Sequence, residues 1–345
     1  MKRYTALTIP SIRKINKLPK TLVGASLFAG GGGASTGMKL AGIDVRYANE
    51  FIPGAIATYR ANASKTTFLD ERDIRVVKPS EILKHCRVAK GELDYLDASP
   101  PCKLYSGAAK FSRVGKRSDA PVVYSENVKQ RVDDLFDEFL RILKGVKPKV
   151  FVTENVPGLA EGVSKGFFLE IIQRMKDCGY AVEARRIDPS LLGVPQRRVR
   201  IVFVGVRTDV SRAVCGPVFP KPSKKVLALR DVIPDAAFVQ EGARGWGDAR
   251  RPAPTIVAGG HSFNEYSQLS AGGYYKDDDG DVIKFTIPQL IKIFGYPEDY
   301  MLTGDFKMQW ERLGRSHVPL AVYAIASTIR EQILEPYNKL RKRKK

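Results

Sequence analysis

The chain has 345 residues, enough for one large and one small domain, and its 57 lysines and arginines against 37 aspartates and glutamates give a net charge of +20. This excess predicts a polyanionic partner, with nucleic acid first and an anionic membrane surface second. No apolar run reaches the about 18 residues that a membrane span needs, and the cysteines and histidines lack zinc-ligand spacing. The sequence therefore predicts a cytoplasmic protein without a signal peptide, a structural disulfide or a metal.

Strands and helices alternate from residue 22 onwards. A basic arm is expected over residues 1–21, then a buried strand over 22–29 and a helix over 34–42. Further strands are predicted over 44–50, 93–99, 149–155 and 200–206, and helices over 132–146 and 166–179. This alternation predicts an α/β fold with a doubly wound, mostly parallel sheet.

The composition of the sequence and its pattern of strands and helices change after Val206. Proline, glycine and lysine residues between short strand-like pieces indicate a small second domain over 207–284, after a first domain at 22–206. Helical periodicity returns over 287–297 and 318–334. Residues 285–335 are therefore predicted to return to the first domain, and residues 336–345 to form a basic tail.

A glycine-rich turn, FAGGGGASTG at 28–37, follows the first strand and opens the first helix. Its glycines would let the backbone approach a ligand closely, and it lacks the ending of a phosphate loop. Glu50 lies at the end of the next strand, where an acid usually binds ribose hydroxyls, and Asp73 would accept from an adenine amino group. Although each acid alone also fits a solvated loop carboxylate, the three features together predict a nucleoside-bearing cofactor.

A thiol and a carboxylate come at the ends of later strands, and two arginines come at the start of another. Cys102 follows two prolines, a rigid turn that would present the thiol at the sheet edge, although a buried and inert cysteine fits the same segment. Glu154 closes another strand, and Arg198 and Arg200 alternate so that they would share a face. Because the carboxyl ends of parallel strands meet at one edge, the thiol, the carboxylate and the nucleoside site together predict a ligand crevice.

Taken together, these motifs resemble the DNA cytosine-5 methyltransferases from about residue 22 to about 330. The resemblance rests on FAGGGG (28–33), NE (49–50), PPC (100–102), ENV (154–156), Q-x-R-x-R (196–200), RPAPTI (251–256), FTIPQLIKIFGYPEDY (285–300) and LGRSHVPLAVYAIA (313–326). It implies a Rossmann-like fold and a monomeric enzyme that transfers a methyl group from S-adenosylmethionine to C5 of a cytosine flipped out of double-stranded DNA. A short recognition site, read by the small domain, and a companion restriction endonuclease are further implications.

The resemblance also implies roles for individual residues. Cys102 would add to C6 of the base, Glu154 would hold N3 and the 4-amino edge, and Arg200, helped by Arg198, would bind O2. The implied cofactor contacts are Phe28, Gly30, Gly32, Glu50, Phe51 (stacked on adenine), Asp73, Ile74 and Pro101, with Arg315 and Ser316 at the methionine end. The implied DNA contacts are Lys103, Ser106, Lys110, Arg113, Lys116 and Arg117 in a covering loop at 103–124, with Arg244 and Trp246 in the small domain.

The last motif departs from the family pattern. Where the family has Gly-Asn-Ser-Val, this chain has GRSHV at 314–318, so Arg315 would place a permanent cation near a sulfonium. Plain methyl transfer requires that Arg315 turn away or meet another anion. Carboxymethyl transfer from carboxy-S-adenosylmethionine would instead give it a carboxylate. A tRNA cytosine-5 methyltransferase and a catalytically silent DNA-binding relative are the remaining alternatives.

Overall fold

A computed structural model describes residues 3–100, 122–123, 129–130, 134–161, 165–242, 245–260 and 273–343. The strands in chain order are β1 Leu22–Leu27, β2 Ile43–Asn49, β3 Phe68–Asp70, β4 Tyr95–Ala98, β5 Val122–Val123, β6 Lys129–Gln130, β7 Val150–Asn155, β8 Tyr180–Ile187, β9 Arg200–Arg207, β10 Phe238–Gln240, β11 Trp246–Asp248, β12 Tyr274–Lys276 and β13 Val282–Lys284. The α-helices are α1 Ile12–Lys17, α2 Gly33–Leu40, α3 Pro53–Asn62, α4 Pro79–Cys86, α5 Leu135–Val146, α6 Lys165–Asp177, α7 Thr208–Ala213, α8 Ile287–Ile293, α9 Phe306–Arg315, α10 Pro319–Ile329 and α11 Glu335–Arg343.

Seven strands form the large sheet, in the order β3-β2-β1-β4-β7-β9-β8. The five strands β3, β2, β1, β4 and β7 are parallel to one another, whereas β9 is antiparallel to both of its neighbours, β7 and β8. The predicted doubly wound, mostly parallel sheet is confirmed. Strand order reverses between β1 and β4, so the carboxyl ends of these two strands border the crevice in which such sheets bind ligands.

Helices cover both faces of the sheet because consecutive residues of its central strands are apolar and point to opposite faces. Tyr95 of β4 packs into a core with Met38 of α2 and Val322 of α10. Its neighbour Leu96 packs into a second core with Phe139 of α5, on the opposite face. The fit of α2 against α10 is close, since a Cβ at Gly37 would lie 2.4 Å from the carbonyl oxygen of Pro319.

A second, four-stranded sheet has the order β11-β10-β12-β13. One of its faces is buried through Val239 and Tyr275, which join the same core as α2 and α10. Phe238, Trp246 and Val282 are exposed. After this sheet, α10 packs in the same core as α2 and Tyr95 of the large sheet.

Both ends of the chain pack on the large domain rather than extending from it. In the expected N-terminal arm, Ile15 of α1 is fully buried and Asn16 accepts a hydrogen bond from Lys39 Nζ of α2 at 2.6 Å. Burial lowers the pKa of Lys39 to about 7. The expected basic tail is helical as far as Arg343, and Arg341 pairs with Glu92 at 2.7 Å. Within the described ranges, no helix is both long and apolar enough to span a membrane.

Candidate active site

The glycine-rich turn after β1 is held by Glu50, at the end of β2. Glu50 Oε2 accepts the N–H of Gly30 at 2.7 Å, and Oε1 accepts those of Phe51 and Ile52, each at 2.8 Å. Burial raises the pKa of Glu50, and these three bonds oppose the rise. A carboxylate has about four acceptor sites, so one is left for a ligand hydroxyl. Glu50 therefore shapes the loop as well as facing the predicted ribose site.

Backbone geometry leaves room for a ligand over this turn. Phe28, Gly30 and Gly32 all have positive φ, at 53°, 55° and 93°. A Cβ at Gly30 would meet nothing within 4 Å, whereas one at Gly33, the first residue of α2, would lie 2.2 Å from the carbonyl oxygen of His317. The loop is thus packed tightly on its inner side and open at Gly30, as a cradle for a flat ligand requires.

The predicted adenine-binding residues lie at the ends of the neighbouring strands. Phe51 is half-buried after β2, and Ile74 is buried in the core. The Asp73 side chain caps a 3₁₀ turn at Ile74–Val76 by accepting the N–H of Arg75, and it also pairs with the Arg75 guanidinium at 2.8 Å. Asp73 is therefore partly occupied by the protein's own donors.

Glu154 and Arg200 meet at the carboxyl end of β7. Glu154 lies opposite Val202 in the antiparallel pairing, which brings Arg200 to the same side, and Arg200 Nε is 3.4 Å from Glu154 Oε2. The Glu154 N–H donates to Ser99 Oγ at 3.2 Å, on the segment that leads from β4 to Cys102. Glu154 Oε2 is buried but accepts no hydrogen bond from any described residue. A buried acceptor of this kind is free to bind a donor of a ligand.

Arg198 does not join this pair by a hydrogen bond. Its guanidinium donates to the carbonyl oxygens of Ile256 (3.2 Å), Gly314 (2.7 Å) and Ser316 (3.3 Å), and it lies over the Phe294 ring. Burial lowers the pKa of Arg198 to about 9. The sequence predicted a shared face for Arg198 and Arg200, but the donors of Arg198 are used to fix the C-terminal segment.

The C-terminal end of α9 carries further charges, and one of them, Arg312, lies beside the glycine-rich turn. Arg315 Nε pairs with Glu311 Oε1 at 2.7 Å, one helical turn earlier. Arg312 packs its side-chain stem near Gly31, and its charge faces Glu50. Ser316 ends the helix and donates its hydroxyl to the Leu313 carbonyl at 2.8 Å. The guanidinium of Arg315 is therefore paired with a carboxylate of the protein itself.

The three cysteines of the described part are Cys86, Cys178 and Cys215, and all are free thiols. Burial raises the pKa of each, for Cys86 to about 12. A thiol with a raised pKa is a poor nucleophile at neutral pH because little thiolate is present. None of these three therefore has the properties of a nucleophile.

Several predicted site residues lie outside the described residues, namely Pro101, Cys102, Lys103, Ser106, Lys110, Arg113, Lys116, Arg117 and Arg244. Trp246 is described: it lies in β11, is 38% exposed, and has Lys276 Nζ 4.8 Å from its ring centroid. An exposed aromatic ring beside a lysine suits contact with nucleic acid.

Sequence reasoning missed two residues that the structure brings to this edge. Asp97 is buried in β4 and accepts a hydrogen bond from Ser26 Oγ at 3.0 Å. His317 lies opposite it, with Nδ1 3.8 Å from Asp97 Oδ1. An acid inside the apolar segment LDYLDA was the only signal in the sequence for Asp97.

Comparison with known proteins supports the resemblance. A family model described as C-5 cytosine-specific DNA methylase matches residues 22–248. The type II methyltransferase M.NgoPII of Neisseria gonorrhoeae is 32% identical over 214 residues, which are 61% of this chain and 55% of that protein, so the chain spans about half the length of this relative. M1.HphI of Haemophilus parahaemolyticus is 27% identical over 336 residues, covering 88% of this chain and 85% of that protein.

Solved structures agree on the fold. A mutant DNMT2 of Spodoptera frugiperda superposes with a TM-score of 0.65 at 18% identity, over 90% of this chain and 99% of that chain. The Dnmt2 methyltransferase of S. pombe gives a TM-score of 0.62 at the same identity and the same coverage of both chains. With the family model matching well over half of its length, the chain belongs to the C-5 cytosine-specific DNA methylase family.

Proposed function

We propose that the protein is a DNA (cytosine-5-)-methyltransferase that forms a covalent bond between Cys102 and C6 of a flipped cytosine. One observation carries the proposal: the buried Glu154 Oε2, paired with Arg200 but without a hydrogen bond, lies next to the segment that leads to Cys102. Cytosine offers a 4-amino donor beside N3, which complements a carboxylate, and an O2 acceptor, which complements a guanidinium.

The reaction follows from these groups. The Cys102 thiolate would attack C6, which makes C5 nucleophilic. Glu154 would hold or protonate N3 and bind the 4-amino group, and Arg200 would stabilise the negative charge that develops towards O2. After methyl transfer, removal of the C5 proton and expulsion of the thiolate would release the product and restore Cys102.

The glycine-rich turn fits S-adenosylmethionine as cofactor, which would supply the methyl group when bound. Gly30 leaves open space above the backbone, and Glu50 retains one acceptor site for a ribose hydroxyl. Phe51 is half-buried next to Glu50 and is available to stack on adenine. The Arg315–Glu311 pair favours plain methyl transfer, because Arg315 needs no carboxylate on the transferred group.

The decisive experiment uses the nucleophile. Duplex DNA containing 5-fluorocytosine should trap wild-type protein as a covalent adduct, since fluorine cannot leave as a proton does. Cys102→Ser should form no adduct and give no 5-methylcytosine in bisulfite sequencing, while it still binds DNA. Cys178→Ser is the matched control and should behave as wild type. Methylation by a Cys102→Ala protein would refute the mechanism.

The substrate would be double-stranded DNA in the cytoplasm of a prokaryotic or phage-infected cell, with a short recognition site and, by analogy to type II relatives, a companion endonuclease. A monomer suffices for this reaction.

The affinity for duplex DNA should fall with salt: the logarithm of the binding constant should change with the logarithm of the salt concentration with a slope of about −0.9 per phosphate neutralised. Changing Lys110, Arg113, Lys116 and Arg117 together to glutamine should flatten that slope. An unchanged slope would show that the loop does not contact the DNA backbone, and methylation of tRNA instead of duplex DNA would refute the choice of substrate.

A further inference from the structure

The proposed reaction leaves a buried pair of ionisable groups unused behind the catalytic edge. Asp97 is 2% exposed, and its Oδ2 accepts from Ser26 Oγ. Asp97 Oδ1 and His317 Nδ1 face each other at 3.8 Å, and neither atom has a hydrogen-bond partner among the described residues. Buried polar atoms in folded proteins almost always have a hydrogen-bond partner, so two that lack one at the same place call for a reason.

The pair joins the two halves of the proposed site. Asp97 lies in β4, five residues before Cys102. The backbone of His317 packs on the start of α2, where even a Cβ at Gly33 would be 2.2 Å from its carbonyl oxygen. The approach of Asp97 to His317 thus connects the strand that leads to the nucleophile with the loop that would bind the cofactor.

Charge makes this connection sensitive to protonation. Burial raises the pKa of Asp97 to about 6, while His317 and the Ser26 hydroxyl oppose the rise and Glu154 adds to it. Tyr59 of α3 and Tyr95 of β4 also face Asp97, and burial keeps both phenols protonated near neutral pH. Above about pH 6 the Asp97 carboxylate is charged and can accept a charge-assisted hydrogen bond from the facing His317 Nδ1, whereas below it the carboxyl is protonated and this contact is lost.

We propose that Asp97 and His317 are positioning residues. The charged Asp97 holds His317, and with it residues 315–318, against the glycine-rich turn. This inference rests on the proposed function. A charge-assisted contact of this kind should change S-adenosylmethionine affinity about tenfold. The effect should appear in the affinity and in KM for the cofactor rather than in kcat, because neither residue touches the reacting atoms.

Calorimetric titration of full-length protein with S-adenosylmethionine from pH 5 to 7.5 tests the proposal. Wild-type affinity should rise about tenfold across pH 6, and Asp97→Asn should bind weakly at every pH, without the step. His317→Asn should bind the cofactor weakly over the whole pH range. In this variant the pKa of Asp97 should be higher than in wild type, because His317 no longer opposes the rise caused by burial. Asp177→Asn, an exposed carboxylate at the end of α6, is the matched control and should keep the wild-type step.

Unfolding measurements over the same pH range need neither cofactor nor DNA. A raised pKa means that the folded state binds the Asp97 proton more tightly, so this contribution to stability is full below about pH 4 and is lost as pH rises through about 6. Asp97→Asn should lack this loss. An unchanged affinity step in Asp97→Asn would overturn the inference. Wild-type protein that shows the step but methylates no DNA would support the inference and refute the proposed function, and wild-type protein that binds no S-adenosylmethionine would refute both.

Discussion

Arg198 and Arg200 are two residues apart in one motif, yet their contacts predict opposite consequences of substitution. Arg198→Met leaves three carbonyl oxygens without a donor, at about 1–3 kcal/mol each. Part of that cost is offset because a buried charge, whose pKa is already lowered to about 9, is removed. We expect a net loss of about 3 kcal/mol. For 345 residues the unfolding entropy is roughly 0.7 kcal/mol per kelvin, so Tm should fall by about 4 °C.

Arg200→Met should change Tm by no more than about 1.5 °C, because Arg200 Nε approaches Glu154 Oε2 only to 3.4 Å, without a hydrogen bond, so that about 1 kcal/mol is lost. It should abolish methylation. Thermal unfolding by circular dichroism and methylation rates, measured on both variants, separate a structural arginine from a catalytic one. If Arg198→Met melts within 1 °C of wild type and loses activity as completely as Arg200→Met, then Arg198 acts on the substrate and the reasoning from its three carbonyl contacts is refuted.

Three further predictions concern the glycine-rich turn, the nucleophile and the end of α9. Gly33→Ala should reduce S-adenosylmethionine affinity at least tenfold in a calorimetric titration, because its Cβ would displace the His317 carbonyl; a wild-type affinity would contradict the packing described. Iodoacetamide at pH 7.5, mapped by mass spectrometry, should label Cys102 before Cys86, Cys178 and Cys215, whose pKa values burial raises, and equal labelling would argue against a reactive Cys102. Glu311→Gln should weaken S-adenosylmethionine binding about fivefold, on the order of 1 kcal/mol, by removing the carboxylate that pairs with Arg315, and Arg315→Asn in the same protein should restore it.

The sequence predicted the sheet well because its signals are local. Apolar runs of four to eight residues between glycine turns gave β1, β4, β7 and β9 nearly to their ends. The direction of β9 was not accessible in this way, since an apolar run reads the same in a parallel and an antiparallel strand. The packing of α1 and α11 was missed for a related reason: their basic residues suggested solvated ends, whereas Ile15 and the Arg341–Glu92 pair attach them to the domain.

The site residues also fall into those that local sequence signals could place and those that they could not. Glu50 and Glu154 stand at the carboxyl ends of parallel strands, so their placement at one sheet edge followed from the topology, whereas Arg200, the first residue of β9, reaches that edge because β9 is antiparallel. The contacts of Arg198 and His317 depend on where the C-terminal segment returns, more than 100 residues later for Arg198. No local pattern encodes such a contact, and only the folded chain shows it.

The departure at Arg315 is explained by how α9 distributes charge. The helix carries two arginines near its end, and each faces an acid: Arg312, beside the glycine-rich turn, faces Glu50, and Arg315 pairs with Glu311. A sulfonium bound there would meet paired cations, whose field largely cancels beyond a few ångströms, rather than a lone positive charge. The same pairing makes Arg315 and Glu311 interdependent, since the loss of either exposes the charge of the other. An unusual arginine in the last motif is therefore compatible with transfer of a plain methyl group because its counter-charge lies one turn earlier on the same helix.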